Sequence, residues 1–434
     1  MKKFEEGFLL GAATAAHQTE GNNIHSDYWL MENMKYTEFS EKSGLAVDHY
    51  NRYKEDIDIL KNAGLNAYRF SIEWARIEPE EGVFDEKEID HYRDVLSYMH
   101  KKGITPVVTL MHFTSPSWLI KKGGWRSENT PFYFQRYVSY VIEKLGDLIP
   151  YVVTLNEANM GVQVNSIALR YRKMMEKKAS NLEGNVQVGM NFNSMMENMR
   201  AKAGEYVTLF GTPDPKTFVS GRSEEEEDVV ISSHIAAREA IKRIRPEIKV
   251  GLSLSLHDIQ SLEEGEDNAN EEWRKEFSIY LDAIKDDDFL GIQNYARSIY
   301  GKDGLENPPE GSELTQMGYE NYPYALGNVL RRVNKELEEK GIKKTLIVTE
   351  NGIATDDDEK RRVFIGKALE GLRDAKDEGV EVKGYFHWSL LDNFEWQKGF
   401  SMTFGLIAVD RSNMERHPKE SLYYLGSFAP EEKV

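Results

Sequence analysis

The sequence predicts an α/β fold, a single (β/α)8 TIM barrel over residues 1–434 with long loops at its C-terminal face, and three observations carry that prediction. Short, largely apolar runs rich in β-branched and aromatic residues recur along the whole chain, as strands covered on both faces require. Segments of helical periodicity separate them, the pattern of a parallel sheet with crossover helices. Most of these runs also carry or end on a polar residue for which a buried strand has no packing use. In a barrel, strand ends converge on one mouth. A doubly wound open sheet is the structural rival, but no glycine-rich phosphate loop follows the first run.

The first run is FLLGAATAAHQ from Phe8, closed by Gln18. Its approach, MKKFEEG, has the lysines of a leader peptide, but Glu5 and Glu6 interrupt it, and an apolar core of about 7–15 residues is missing, so a strand is expected instead. Tyr53, Ile57 and Leu60 follow at helical spacing and stop before Gly64. AYRFSIEW from Ala67 is the second run and carries Arg69 and Glu73. Ile89, Tyr92, Leu96 and Met99 form the next apolar stripe, ending before Gly103. TPVVTLMHF from Thr105 closes on His112, and YVVTLNEAN from Tyr151 on Asn156 and Glu157.

Residues 160–228 then form an unusually long connection that holds seven of the fifteen methionines. Flexible packing filler is the plainer reading of them, and an adaptable cleft wall the sharper one. The acidic run from Ser223 to Asp228 reads as a solvated helix start. Ile231, Ile235, Ile241 and Ile244 mark the helix itself, which ends at Pro246. KVGLSLSLHD from Lys249 is the fifth strand, the one run with no functional polar residue assigned to it. FLGIQNYARS from Phe289 supplies Gln293 and Tyr295. Leu326, Val329, Leu330, Val333 and Leu337 make a helical face that stops before Gly341. TLIVTENG from Thr345 delivers Glu350, and VKGYFHWSLLDNF from Val382 delivers Trp388.

Composition narrows the partners. The chain has 434 residues, and 73 acidic against 55 basic side chains give a net charge of −18. That field disfavours polyanions, so no nucleic-acid partner is expected. No apolar run reaches the 18 or so residues of a membrane span. The absence of cysteine excludes disulfides and thiolate metal sites and fits a reducing compartment, so a cytoplasmic protein is the expectation. Oligomeric state is not legible.

Chemistry follows from the strand ends. No His-x-His sits at a strand end, so a metal-assisted hydrolase has little support. No serine nucleophile elbow appears either. Two glutamates on separate strands, among amides, an arginine and tryptophans, suit acid/base and nucleophilic work on a sugar. Tryptophan faces stack on the C–H faces of pyranose rings, while amides and carboxylates bind hydroxyls.

The motifs FLLGAATAAHQTEG, YRFSIEWARIEP, TLMHFTSPSW, TLNEAN, VTENG and GYFHWSLLDNFEW resemble the family 1 glycoside hydrolases, the retaining β-glucosidase and β-galactosidase group. The resemblance runs in order along nearly the whole chain and implies a cofactor-free enzyme acting on a small-molecule β-glycoside. It implies Glu157 as general acid/base and Glu350 as nucleophile, with Arg69, Asn156 and Tyr295 in support. By the same resemblance Gln18, His112, Gln293, Glu395 and Trp396 bind the sugar, Trp388 lies beneath it and Phe404 walls the pocket. The implied activity is exo-acting hydrolysis of terminal β-glucosides, with galactosides and fucosides as further substrates. A 6-phospho-β-glycosidase and a non-catalytic sugar-binding module on the same barrel are the alternatives. Against the first, the stretch EWQKGFSMTFGL keeps Glu395-Trp396 and lacks the phosphate-binding serine, lysine and tyrosine pattern. Departures from the family pattern are Leu10 for tryptophan, Ala158 for proline, Gln293 for asparagine and Thr403 for arginine.

Overall fold

The strand Leu9–Ala13 is flanked in parallel by Ala67–Ser71 on one side and by Val382–Trp388 on the other. First and last strands being neighbours, the sheet is wound into a ring, which the open-sheet rival does not allow. This arrangement is seen in a computed structural model that describes residues 2–176 and 199–431. From Ala67–Ser71 the ladder passes through Thr105–Thr109 to Tyr151–Val153. From Val382–Trp388 it passes through Thr345–Asn351 to Phe289–Gln293.

Strand five closes the ring and is broken in two. Lys249–Gly251 pairs with Tyr151–Val153, whereas Ser253–Ser255 pairs with Phe289–Gln293. Only Leu252 separates the halves, so the nine strands of the sheet occupy eight barrel positions. The expected first strand is shorter than its apolar run. It ends at Ala13, and Gln18 lies in the short helix Ala16–Thr19 that turns back over the mouth.

Side-chain alternation along the strands produces two cores. Leu10, Tyr68, Val108, Val152 and Val348 point outward into a layer shared with the helices. Leu9, Ala67, Val107, Val153, Phe289, Ile347 and Phe386 point inward and fill the barrel below the mouth, where Tyr295, Trp388 and Phe404 continue the same cluster. The close packing of the first strand requires glycine at position 11. A Cβ there would stand 2.1 Å from the Ala67 carbonyl oxygen.

The expected helices are present with their stripes inward, at His49–Asn62, Glu86–Lys101 and Ala325–Glu339. Gly64, Gly103 and Gly341 stop them with positive φ. The helix Glu224–Ile244 begins as expected, with Ser223 and Glu226 capping each other's backbone N–H groups. Its buried face, however, includes Val230, His234, Ala237 and Ile241; Ile231, Ile235 and Ile244 are only half-buried because a buried ion-pair cluster takes the inner positions. There Arg238 and His234 both meet the Asp287 carboxylate. Two further helices, Thr130–Leu145 and Asp358–Asp377, complete the outer layer.

In the long connection, residues Met160–Glu176 and Met199–Phe210 are helical. The methionine-rich stretch between them lies outside the described residues. Among the described residues no helix is long and apolar enough to cross a membrane.

Candidate active site

At the C-terminal end of the strands the barrel opens into a cavity of about 290 Å³ of empty volume. Gln18, His112, Asn156, Glu157, Tyr295, Glu350, Trp388, Glu395, Trp396 and Phe404 all line it, joined by Phe113. Ten of the sequence-predicted residues thus meet in one place although they come from six different strand ends and the loops after them. Three of the lining residues, Phe113, Glu157 and Trp396, hold positive φ without being glycine. Backbone held in sparsely populated conformations clusters where surrounding structure fixes a functional side chain.

Arg69, fully buried on the second strand, organises the floor. Its Nη1 donates to Glu350 Oε1 at 2.5 Å and its Nη2 to Asn156 Oδ1 at 2.5 Å, while Nε donates to Thr109 Oγ1 at 3.0 Å. The Tyr295 hydroxyl donates to the other Glu350 oxygen at 2.6 Å. Gln293 lies elsewhere than expected. It does not line the cavity but sits beneath it, donating from Nε2 to Asn156 Oδ1 (2.7 Å), Ser253 Oγ (3.1 Å) and Glu350 Oε1 (3.2 Å). Its longer side chain fills the space under Glu350 as a third donor. The neighbouring Asn294 is used structurally, on the Leu256 and Ala296 carbonyls.

The two glutamates stand in different electrostatic surroundings. Burial raises the pKa of both. For Glu350 the Arg69 charge and the Tyr295 and Arg69 hydrogen bonds oppose it. Glu157 is raised well above the usual carboxylate range, first by burial and then by the nearby Glu350 charge, with Arg69 acting in the other direction. With two carboxyl groups sharing a site, the proton belongs on the one with fewer compensating donors, which is Glu157.

The amide and ring groups on the walls are held so that some polar atoms stay available. Gln18 Nε2 donates to the Phe394 carbonyl at 2.7 Å and approaches Asn393 Oδ1 and Glu395 Oε2 at 3.2 and 3.3 Å. Its Oε1 has no partner among the described residues. His112 is kept neutral, by burial and then by Arg69. Its Nε2 lies 3.2 Å from Asn156 Nδ2, which makes Nε2 the acceptor and puts the proton on Nδ1, another atom without a partner among the described residues. Trp396 is stacked parallel to His17 at 5.9 Å, and Trp388 nearly parallel to His112 at 5.6 Å. These stacks fix the aromatic walls.

Sequence reasoning passed over two contributors, Phe113 and Ser253, and misplaced Glu73. Phe113 stands inside a quoted motif but has no polar group to draw notice. Glu73, read as a strand-end polar group, instead caps the helix Trp74–Ile77 and accepts from the Thr114 hydroxyl. Ser253 on strand five accepts the Glu157 backbone N–H at 3.1 Å. The alternation of serine and leucine in LSLSL was the available signal for it. Ala158, standing where the family pattern has proline, uses the N–H that proline lacks to donate to the Ser253 carbonyl at 2.9 Å.

Comparison with known proteins agrees with this geometry. The model of glycosyl hydrolase family 1 matches residues 1–171 and 300–434, leaving out most of the long connection and the strands that follow it. Beta-glucosidase A of Thermotoga maritima is 31% identical over 98% of this chain and 97% of its own. A 6-phospho-beta-galactosidase of Clostridium acetobutylicum is 29% identical over 100% and 98%. Among solved structures, the beta-glycosidase BGL167 superposes with a TM-score of 0.87 at 41% identity, covering 99% of both chains. With the family model matched over most of its length and a relative 31% identical along 98% of it, this chain belongs to glycosyl hydrolase family 1.

Proposed function

We propose that the protein is an exo-acting retaining β-glucosidase, with residues 1–434 serving as one catalytic unit and the cytoplasm as its setting. The observation that carries the mechanism is the pairing of two buried glutamates on one small cavity, only one of which has a cation and a tyrosine on it. The ionised Glu350 attacks the anomeric carbon, while Glu157 gives its proton to the glycosidic oxygen. The aglycone leaves with that proton and Glu350 becomes an ester. The loss of its charge removes the repulsion that kept Glu157 protonated. Glu157, left ionised when its proton departed with the aglycone, takes a proton from water, and the water oxygen attacks the anomeric carbon to release the sugar and restore Glu350.

Gln18, His112, Asn156, Glu395 and Trp396 serve as hydroxyl contacts in this reading, with Trp388 and Phe404 as walls. A single cavity ringed by the predicted sugar contacts at the barrel mouth supports one bound glycone ring and exo action. The names of the Thermotoga relatives support glucose as the glycone. The 6-phosphate reading has the Clostridium relative in its favour. Against it stands Glu395, a carboxylate in the wall that a phosphorylated glycone would have to face. A chain without cysteine supports the cytoplasmic setting.

The test is Glu350→Gly. Hydrolysis of nitrophenyl β-glucosides is expected to fall to background, while α-glucosyl fluoride, which mimics the ester, is expected to donate glucose to an acceptor alcohol with Glu157 as base. Near-normal hydrolysis in this variant sinks the assignment.

A further inference from the structure

Strand five, the one strand from which the sequence suggested no functional residue, carries a second serine beside the acid/base glutamate. Ser253 and Ser255 are two residues apart and so share a face of the strand. Ser253 Oγ is already committed, to the Glu157 N–H and to Gln293. Ser255 lies one layer nearer the mouth, and its buried Oγ has no partner at hydrogen-bonding geometry among the described residues; the same is true of the buried Glu157 Oε2.

The segment that bears Glu157 also grips the Ser255 backbone on both sides. Asn159 Oδ1 accepts the Ser255 N–H at 3.0 Å, and Asn159 Nδ2 and Gln163 Nε2 donate to its carbonyl at 2.7 and 2.8 Å. The Ser255 backbone is therefore fixed to the segment that bears Glu157 by three bonds that leave the serine hydroxyl and the glutamate carboxyl unused. Two buried polar atoms left open beside each other are uncommon, since each forgoes a hydrogen bond worth having. They make sense if one of them needs its partner only in part of a reaction cycle.

We infer that Ser255 is a positioning residue for the acid/base: its hydroxyl donates to Glu157 Oε2 when that carboxyl has given up its proton, and so holds it as a base toward water. The inference rests on the reading of Glu157 given above. The charged and titratable groups facing Glu157 are Glu350, Arg69, Glu395, Tyr295 and Tyr319. Tyr295 is spent on Glu350, and Arg69 on Glu350 and Asn156. Burial is the dominant influence on Glu157 and the Glu350 charge adds to it, while Arg69 and the nearby Ser255 hydroxyl act in the other direction. No atom of substrate needs to touch Ser255 for this role.

The experiment compares Ser255→Val with Ser255→Thr, which match in shape and differ in the hydroxyl. Without the hydroxyl the ionised Glu157 loses a donor, so its pKa rises. The alkaline limb of kcat/KM, where Glu157 must be protonated, is expected to move up by about one pH unit in Ser255→Val. With 2,4-dinitrophenyl β-glucoside, for which hydrolysis of the ester limits turnover, the acid limb of kcat is expected to move up by a similar amount. The threonine variant keeps both limbs near their original places. A Ser255→Val enzyme with a lower plateau or altered KM but unmoved limbs overturns the inference. A threonine variant that shifts as far as valine also overturns it. Glu157→Gln separates the two levels. An alkaline limb that persists there overturns the acid/base reading and this inference together. A limb that vanishes there but stays put in Ser255→Val overturns the inference alone.

Discussion

Arg69 shows how one residue can set the chemistry of a cavity that it does not line. Its guanidinium divides three donors among Glu350, Asn156 and Thr109, so the proposed nucleophile and an amide on the wall are registered to the same rigid fork. Arg69→Met keeps comparable length but leaves Glu350 with Tyr295 and the more distant Gln293. Burial then acts with less opposition and the Glu350 pKa climbs. Glu350 must be ionised to attack, so activity is present above its pKa and lost as pH falls through it. The acid limb of kcat/KM is therefore expected to move to higher pH, with a loss of about 10²–10³ in rate at the optimum. A pH profile of the variant with unshifted acid limb would argue that Arg69 merely packs. Of this site, the carboxylates, the arginine and the aromatic walls were legible because strand-end polarity and the motif resemblance both point to them. Gln293 was legible as a residue of the site but not in its role, because sequence does not say whether a longer amide reaches the sugar or fills the space below it. Ser255 stayed hidden for a related reason, since a small hydroxyl on a strand reads as filler until its neighbour is known.

Among the elements, the C-terminal hairpin Ile407–Asp410 and Glu415–Pro418 is fastened to the first long helix by a buried ion pair. Arg416 donates from Nε and Nη2 to both oxygens of Asp56 at 2.8 and 3.0 Å, and Nη2 also reaches the Val47 carbonyl. Burial acts to raise Asp56, but the hydrogen bonds from Arg416 and His49 outweigh it and leave the pKa below its ordinary value. A carboxyl depressed in the folded state contributes stability above its unfolded value and loses it as pH falls through the folded one. Arg416→Met strands the Asp56 charge and is expected to cost about 3–5 kcal/mol near neutral pH. The deficit against wild type should narrow as pH drops and the stranded carboxyl takes up a proton. Urea melts of both proteins at pH 7 and pH 5 measure it; a gap that stays constant would mean that lost packing, not charge, is responsible. None of this was legible, because Asp56 and Arg416 are far apart in sequence and each alone reads as a surface charge. The helices around it were legible wherever an apolar stripe meets the barrel without ionic company, as in Ala325–Glu339. Of the isoleucines of Glu224–Ile244 only Ile241 marked the buried face, because His234 and Arg238 occupy much of it with a paired Asp287. Strand five was legible as a strand but not as a broken one, since Leu252 is as apolar as its neighbours.

At the scale of the whole molecule the net charge of −18 and the Glu395 carboxylate in the cavity wall act in the same direction. A barrel mouth focuses the field of the surrounding protein onto whatever enters it. A neutral glucoside is indifferent to that field, whereas its 6-phosphate carries close to two negative charges toward a cavity that already holds Glu350 and Glu395. The specificity between them therefore has a long-range part and a local part, and ionic strength separates the two. Between roughly 0.01 and 1 M salt the Debye length falls from about 30 to 3 Å, which screens the surface field but not a buried contact. With 4-nitrophenyl β-glucoside, kcat/KM is expected to stay flat across that range. With the 6-phosphate it is expected to start far lower and to rise with salt, yet to remain below the glucoside at the highest salt because the Glu395 contact survives screening. Glu395→Gln should then close part of the remaining gap without changing the salt slope. If the phosphate is the better substrate at every ionic strength, the charge argument fails and the glycone preference proposed for this enzyme falls with it.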